Sequence, residues 1–313
     1  MGKLVKTLII FVVIAIVAGA MVYYFFLSRG VRGVVSVAGV ELWVDPSKVT
    51  EVATPVEVFI NISNSFPVSV KIVGGSLKIV LSDLTMAVVD IPTQEVGQGA
   101  ATLLVNAVLD NTLLDDFWYR HLSGGERSDM SIEGSVKVST PVGVLEIPIR
   151  FSSAVETRIF PVEFELSREY DAGILGKVVI RKLAIELAEV TPSETRLKAY
   201  ITIENNLKAI PLYINWIVFN VKTGGGLVLG SGEQEMPKMI APGEVDTIVF
   251  SIVVDNSKIP KLWVEHLRNR EKTTIHVEVW LKIKIDKMSI EVFREHPLTI
   301  STKFETNIFK YKT

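Results

Sequence analysis

The sequence predicts an all-β protein with two tandem antiparallel β-sandwich domains, each with one short α-helix, after a single transmembrane helix. Three observations support this fold class. A 16-residue phrase occurs twice. Short runs with alternating apolar residues recur along the chain, separated by Gly, Pro and Asn, as in many-stranded β proteins. Residues 8–27 form an uncharged apolar stretch near the amino terminus.

The duplicated phrase indicates that one structural unit is used twice. Residues 110–125 recur as residues 255–270, at a shift of 145 positions. The residues that coincide form a repeat signature: Asp110, Asn111, Trp118, His121 and Leu122, and Asp255, Asn256, Trp263, His266 and Leu267. Upstream, matches from Val37 and Val178 to Ile60 and Ile201 keep a shift of 141. We expect the four-residue difference at residues 224–226, because loops absorb changes in length.

The predicted membrane anchor is residues 8–27. Twenty residues without a charge span the roughly 30 Å hydrocarbon core as a helix. Lys3 and Lys6 precede the stretch, so residues 1–7 are predicted to be cytoplasmic and the remainder extracytoplasmic, on a single-pass cell-membrane protein. A cleaved secretory signal is the alternative, with Ala18-Gly-Ala20 as the cleavage site. Because the apolar run continues to Leu27, a retained anchor is favoured.

Charge and cysteine content restrict the partners of the remaining chain. Four of the 33 basic residues and none of the 35 acidic residues precede residue 33, which leaves a net charge near −6 on the rest. This sign argues against nucleic acid or an anionic membrane surface as the partner of this part of the chain. The chain has no cysteine, so apolar cores rather than disulfides must stabilise the two domains.

The strand pattern places one sandwich in each copy. Val56–Ile62 and Leu197–Ile203 alternate between apolar and polar residues, and Thr274–Ile285 alternates over twelve residues. Such a period of two is typical of half-buried strands. The predicted domains are residues 34–156 and 176–313, joined by a linker at residues 157–175.

A short helix is predicted inside each signature. Leu114, Trp118 and His121 fall on one helical face, and the second copy repeats this spacing. Asn111 with Thr112, and Asn256 with Ser257, are the predicted helix caps, and Pro260 lies in the first turn of the second helix. We expect each tryptophan to pack within its own domain, so that Trp118→Ala or Trp263→Ala destabilises that domain alone.

The signature residues carry no clear catalytic pattern. His121 and His266 could bind a metal or act as bases, but no second His, no Cys and no acidic cluster accompanies them in the sequence. Asp110 and Asp255 fit a favourable position at a helix amino terminus. No nucleophile elbow or phosphate loop occurs. The prediction is therefore a protein that is not an enzyme and has no catalytic residues, cofactor or metal. Asn61, in Asn-Ile-Ser63, is a candidate glycosylation site.

Aromatic residues at unexpected strand positions are candidates for an apolar-ligand site or an interface: Phe59, Tyr200, Trp216, Phe219 and Trp280. Sheets covered on both sides explain such residues through packing. A groove or cavity for an apolar ligand is the alternative.

Laid side by side, the two copies resemble a tandem of the WHy domain, also called the late-embryogenesis-abundant type 2 domain. The resemblance covers residues 34–156 and 174–305. It rests on these elements: the first strand with Leu42 or Leu183, the break at Asn64 or Asn205, the following Pro67 or Pro211, the turn at Gly99 or Gly243, and the Asp-Asn step before the helix. The usual Asn-Pro dipeptide is replaced by Asn64-Ser65 in the first copy and by Asn205-Asn206 in the second.

The resemblance implies a fibronectin-like β-sandwich with one helix and no catalytic residues. It also implies a stress-associated role, and some anchored relatives are suspected of binding lipid. The leading hypothesis is thus a non-enzymatic, membrane-anchored extracytoplasmic binding or stress-associated envelope protein. The alternatives are a lipid-binding or lipid-transfer protein that holds an acyl chain in the sandwich cavity, and a structural subunit that assembles with itself or with an envelope protein through its sheet edges.

Overall fold

The computed structural model describes residues 35–65, 68–140, 143–285, 288–292 and 297–312. Most of these residues lie in antiparallel sheets, and the helices are few and short, so the predicted all-β class is confirmed. The predicted anchor at residues 8–27 and the predicted family proline Pro67 lie outside the described residues. Within the described ranges, both α-helices are too short and too polar to cross a bilayer.

The first repeat is a pair of sheets with one helix. Its elements are β1 (Val35–Val44), β2 (Ala53–Asn64), β3 (Val70–Leu81), β4 (Leu84–Asp90), β5 (Gln94–Val96), β6 (Gly99–Asp110), α1 (Leu114–Ser123), β7 (Arg127–Thr140) and β8 (Gly143–Glu156). One sheet has the order β1-β2-β6, and the other has the order β4-β3-β7-β8, with β5 also on β3.

The second repeat has the same arrangement. Its elements are β9 (Val162–Asp171), β10 (Gly176–Val190), β11 (Glu194–Leu207), β12 (Leu212–Thr223), β13 (Val228–Ile240), β14 (Val245–Asp255), α2 (Ile259–Arg268), β15 (Lys272–Ile285), β16 (Met288–Val292) and β17 (Leu298–Glu305). One sheet has the order β14-β11-β10-β9, and the other has the order β13-β12-β15-β16, with β17 also on β15. A last strand, β18 (Lys310–Tyr311), follows.

Alternating side chains build the core of each sandwich. Along β2 every second residue is buried, including Val58 and Ile60, while the intervening Phe59 is half-exposed. In β11, Ile201 and Ile203 are buried in the same way. Since a shift of one residue would turn the apolar face outward, this alternation also fixes the strand register.

The predicted linker at residues 157–175 contains the whole of β9. This strand pairs antiparallel with β10 at the edge of the second repeat. Val162, Leu166 and Tyr170 pack against the apolar core, whereas most of the other residues of β9 are exposed. The segment is therefore part of a sheet, a role that its charged composition did not indicate.

The length difference between the copies is spread over three connections and the strand β13, so its predicted location at residues 224–226 alone is wrong. Strand registers give the equivalent pairs, and the shift rises by one at each step: Thr54 with Thr195 (141), Leu81 with Thr223 (142), Ala87 with Gly230 (143), Val96 with Ile240 (144) and Ala101 with Asp246 (145). Only one extra residue lies between Thr223 and Gly230. Three connections absorb one residue each, and β13 absorbs the fourth by a register shift opposite the break between β4 and β5.

The asparagine that ends β2 or β11 holds the following connection in place. Asn64 is buried, and its Nδ2 donates to the carbonyls of Val68 (3.1 Å) and Gly97 (3.0 Å). Asn205 Nδ2 donates to Ile210 O (3.1 Å) and Ile240 O (2.9 Å). The amide gives these carbonyls a partner at the end of the strand, which explains an asparagine at this position in both copies.

We expect Asn205→Ala to lower the free energy of unfolding by about 1 to 3 kcal/mol, because it leaves buried carbonyl groups without partners. Urea unfolding of the full chain in detergent measures the change. Asn206→Ala is the matched control, since the Asn206 side chain is half-buried on the opposite side of the strand. Equal losses in the two variants would show that the amide bonds contribute nothing specific.

Candidate functional site

The repeat signatures meet where the two repeats join. Helices α1 and α2 pack against each other. α1 also contacts β10 and the turn at residues 256–258, while α2 contacts the turn at residues 46–48 of the first repeat. Each helix thus lies between its own sandwich and the other one.

Trp118 connects the first repeat to the second by a chain of hydrogen bonds. Its indole Nε1 donates to Thr195 Oγ1 in β11 (3.0 Å), and the Thr195 hydroxyl donates to Asn256 Oδ1 (2.8 Å). Asn256 Nδ2 in turn donates to Thr191 O (2.8 Å). Thr195 and Asn256 are fully buried, and Trp118 is 8% exposed.

The same chain of bonds runs in the opposite direction. Trp263 Nε1 donates to Thr54 Oγ1 in β2 (3.0 Å), Thr54 donates to Asn111 Oδ1 (2.9 Å), and Asn111 Nδ2 donates to Thr50 O (2.7 Å). Equivalent residues therefore exchange equivalent bonds across an approximate twofold axis. We call these two networks the Trp–Thr–Asn bridges.

The bridges correct two sequence-based expectations. Each tryptophan bonds to the opposite repeat, so the expectation that it serves only its own domain is wrong. The predicted caps Asn111 and Asn256 are also wrong, because their side chains are used in the bridges. The preceding aspartates cap instead: Asp110 Oδ1 accepts from Thr112 N, and Asp255 Oδ1 accepts from Ser257 N, both at 2.9 Å.

The two signature histidines are buried and bonded at both ring nitrogens. His266 Nδ1 lies 2.8 Å from Thr273 Oγ1, and Nε2 lies 2.9 Å from Thr306 Oγ1. Thr306 donates its hydroxyl proton to Glu271 Oε1 (2.7 Å). The Thr306 oxygen must therefore accept from Nε2–H, which places a proton on Nε2.

His121 repeats this arrangement with Ser128 and Thr157, at 2.9 and 2.8 Å, and Thr157 donates to Glu126. Burial lowers the pKa of His121, against the opposing charge of Glu126. Burial also lowers the pKa of His266, to about 4. Both rings are thus neutral and structural at neutral pH, with their nitrogens occupied by hydroxyl groups.

Glu126 and Glu271 hold the segment that leaves each sandwich, and the sequence interpretation missed both. Each lies just after its helix with a positive φ, 62° and 60°, and each is buried. Glu126 accepts from the N–H groups of Ile159 (2.5 Å) and Phe160 (2.8 Å). Both glutamates occur at the 145-residue shift directly after the duplicated phrase, a signal that could have revealed them.

Glu271 binds the carboxyl-terminal segment in the same way, accepting from Ile308 N (2.7 Å) and Phe309 N (3.1 Å). Phe309 contacts Trp263 edge-on, with ring centroids 6.1 Å apart. Beyond it, β18 pairs parallel with β1 of the first repeat, Trp43 with Lys310. The last described strand is therefore added to the first sheet of the first repeat.

Charged contacts reinforce this return to the first repeat. Lys310 Nζ lies 2.6 Å from Glu41 Oε1, and Lys312 pairs with Glu57. The corresponding exit of the first repeat leads into β9, which pairs with β10 at the equivalent edge of the second repeat. The segment held by Glu126 thus supplies β9, which joins the second repeat antiparallel. The segment held by Glu271 supplies β18, which joins the first repeat parallel.

The cavities at this junction are small. In the described part of the chain, two apolar cavities near Trp118 have volumes of about 30 and 40 Å³. Each has roughly the volume of one water molecule in liquid. An open groove of about 620 Å³ lies between residues 49–51 and α2, lined in part by Lys261, Glu265 and Arg268.

The predicted apolar-ligand residues do not gather at one site. Phe59 packs edge-on against Trp43 on the outer face of the first repeat, with centroids 5.7 Å apart. Tyr200 donates its hydroxyl to Glu186 (3.0 Å) on the outer face of the second. Trp216 is exposed and Trp280 half-buried on the outer face of the β12–β15 sheet, while Phe219 lies inside the core near Phe250. Their role in ligand binding stays a prediction.

The candidate glycosylation site Asn61 lies in the middle of β2. It is half-exposed on the outer face, and its Oδ1 accepts from Thr102 Oγ1 on β6 at 2.9 Å. Glycosylation at this position stays a prediction.

Comparisons with known proteins give no family assignment. No family model matches the chain, and no curated protein matches it. A protein from Archaeoglobus fulgidus of known crystal structure is 22% identical over 42% of this chain and 99% of its own, with a TM-score of 0.38. A protein from Arabidopsis thaliana of known solution structure is 15% identical over 39% of this chain and 80% of its own, with a TM-score of 0.28.

A β-glucuronidase from Bacteroides uniformis is 12% identical over 82% of this chain and 28% of its own, with a TM-score of 0.27. At these scores the similarities carry no argument about this chain. The resemblance to the WHy domain therefore stays a prediction.

We expect Trp118→Ala to destabilise both repeats together, by about 3 to 5 kcal/mol, because it removes a buried ring and leaves Thr195 with one partner fewer. Hydrogen exchange read by mass spectrometry would show lost protection in β11 of the opposite repeat. Trp216→Ala is the matched control, because Trp216 is 38% exposed and should cause a much smaller loss. Loss of protection confined to the first repeat would contradict a structural role for the bridges.

We expect acid to destabilise the protein through His266. Its folded-state pKa of about 4 lies below the ordinary value of 6.5, so the unfolded chain binds more protons between these values. The contribution of His266 to the free energy of unfolding is therefore complete above pH 6.5, and it falls by about 3 kcal/mol as the pH drops to 4. His121 adds a loss in the same direction.

Urea unfolding at a series of pH values gives the free energy of unfolding as a function of pH. The difference between the slopes of this dependence in the unchanged chain and in His266→Gln isolates the contribution of His266. His276→Gln, on the sheet surface, is the control and should retain the slope. An unchanged slope in His266→Gln would refute the role assigned to the buried ring.

Proposed function

We propose that the protein is a non-enzymatic, membrane-anchored binding or stress-associated envelope protein of the WHy type, with two fibronectin-like sandwiches outside the cytoplasmic membrane. The observation that carries this proposal is that the repeated polar side chains form hydrogen bonds within the protein. Tryptophan, threonine, asparagine, histidine and glutamate all bond to one another or to the backbone at the junction of the repeats.

The signature residues thus recur in both copies because they hold the two repeats together at the junction. A catalytic histidine or carboxylate must be free to exchange protons with a substrate, whereas His121, His266, Glu126 and Glu271 are bonded to hydroxyl or backbone groups of the protein. This arrangement supports a binding or structural role over catalysis.

The junction also supports a rigid ectodomain. Two Trp–Thr–Asn bridges, the packing of α1 on α2 and the addition of β18 to β1 hold the repeats together. A rigid pair of sandwiches can present a surface at a fixed distance from a membrane, which suits an envelope protein.

The predicted anchor at residues 8–27 provides the attachment in this proposal. Its uncharged length suits a bilayer, and Lys3 and Lys6 favour a cytoplasmic amino terminus. Lipid transfer is not our proposal, because the apolar cavities of about 30 and 40 Å³ within the described residues give no support to a bound acyl chain.

Cysteine labelling in intact cells tests the orientation. The chain has no native cysteine, so Lys3→Cys and Val228→Cys each introduce one thiol. A maleimide that cannot cross the membrane should label Val228→Cys, whose side chain is exposed, and should label Lys3→Cys only after lysis. Labelling of both or of neither in intact cells would contradict the proposed topology.

A gene deletion in the source organism tests the stress-associated role. We expect lower survival of the deletion strain after drying or osmotic shock, restored by the full chain. A chain that lacks residues 1–27 should fail to restore it, because the protein would lack its attachment. Equal survival of the deletion and parent strains would count against a stress function.

A further inference from the structure

We propose that one outer sheet face of the second repeat binds a neutral polysaccharide chain, with aromatic rings stacked against the apolar faces of successive sugars. We call this surface the aromatic face, and define it by Tyr213, Trp216 and Trp280. The inference deepens the proposed binding function, and it rests on that function for the location of the face outside the cytoplasmic membrane. It names the chemical class of the ligand.

The three rings lie close together on one side of one sheet. Trp216 of β12 pairs with Lys282 of β15, and Val218 pairs with Trp280. Trp216 and Trp280 are therefore diagonal neighbours on adjacent strands, about 7 to 8 Å apart. Tyr213 precedes Trp216 on β12, and a register shift between them leaves both side chains exposed on the same face. The rings thus occupy three successive outward-facing rows of the sheet.

The first repeat builds the same sheet without these rings. The equivalent strands pair in the same register, and both copies shift register at the same point. The equivalent positions carry no aromatic side chain: Lys71 for Tyr213, Gly74 for Trp216 and Ser135 for Trp280. Since one copy folds into this sheet without the rings, the sheet itself does not require them in the other copy. They are available for a ligand.

The indole N–H groups separate the tryptophans of the aromatic face from the others. Trp43, Trp118 and Trp263 each donate this group to a side chain of the protein. Within the described ranges, Trp216 and Trp280 have no acceptor for it. Tryptophan combines a large apolar ring with one donor, and a sugar offers an apolar ring face together with hydroxyl acceptors. The two indole donors that the protein leaves unused are therefore both on the aromatic face.

The rings are accessible and yet held against the sheet. Tyr213 and Trp216 are 39% and 38% exposed, and Trp280 is half-buried. Met239, 54% exposed, pairs with Tyr213 across β12 and β13 and extends the apolar surface by one strand. Rings that are already held in place lose little conformational freedom when a ligand binds, which favours affinity.

The charged side chains beside the rings favour a neutral sugar. Glu233 pairs with Lys282, and Glu235 lies opposite Trp216 on β13, without an ion-pair partner in the described part of the chain. Carboxylate and amino groups can exchange hydrogen bonds with hydroxyl groups. The excess negative charge of these three groups is unfavourable for an acidic polysaccharide or an anionic lipid surface. A neutral sugar chain, which alternates apolar ring faces with hydroxyl groups, matches the rings and their polar neighbours.

Isothermal titration calorimetry of the full chain, in a detergent without a sugar headgroup, tests the inference. The probes are three neutral hexasaccharides: cellohexaose, chitohexaose and maltohexaose. We expect at least one of them to bind. Trp216→Ala and Trp280→Ala should each weaken this binding by about tenfold, because one stacked ring is lost, whereas Trp216→Tyr keeps a ring and should lose less.

Tyr200→Ala is the matched control for the loss of an aromatic ring. Tyr200 lies on the outer face of the other sheet of the same repeat, where its hydroxyl donates to Glu186. This variant should bind the hexasaccharide with unchanged affinity. Urea unfolding of each variant shows that a loss of binding does not come from a loss of folding.

Absence of binding by all three hexasaccharides would refute the inference, and so would equal affinities in the unchanged chain and both alanine variants. If Trp216→Ala instead lowers self-association in light scattering, or binding to phosphatidylcholine vesicles, the aromatic face contacts protein or lipid and the inference is wrong.

The calorimetric result does not depend on membrane orientation, which the labelling of Lys3→Cys and Val228→Cys tests separately. Sugar binding together with labelling on the wrong side would refute the proposed location and support the aromatic face as a sugar site. Correct labelling without sugar binding would refute this inference alone.

Discussion

The reciprocal Trp–Thr–Asn bridges are the interaction on which the arrangement of this protein depends. Each threonine hydroxyl accepts a hydrogen bond from the tryptophan of the other repeat and donates one to an asparagine of the same repeat. Removal of any member leaves a buried polar group with at least one partner fewer, which is more unfavourable than a lost surface bond. Neither repeat can bury its own signature alone, so the two sandwiches behave as one unit.

The segments that leave the sandwiches extend this dependence. Glu126 and Glu271 adopt a left-handed backbone conformation, which is unfavourable for a residue with a Cβ. Each carboxylate accepts hydrogen bonds from two backbone N–H groups of the following segment, and these bonds offset that cost. These segments then lead into β9 and β18, which extend the first sheet of the second and first repeat. The segment that follows each sandwich is thereby held at the junction.

The duplication also separates what the two copies share from what they do not. The junction end is nearly identical in both, because each copy must satisfy the other's buried groups. The opposite ends differ in sequence: the connections 65–69 and 141–143 of the first copy are uncharged, whereas those of the second copy carry Lys208, Asp286 and Lys287.

The sequence alone determined the all-β class, the duplication, the strands with period two and the two short helices, because these follow from local periodicity and from matching residues. It also identified the ten signature residues, but it missed Glu126 and Glu271. What it could not determine was their role. Whether Trp118 packs within its repeat or bonds to Thr195 depends on contacts between residues 77 positions apart, and the partner of Trp263 is 209 positions away. Local patterns report which face of an element is apolar, but only the tertiary structure decides which surface covers that face.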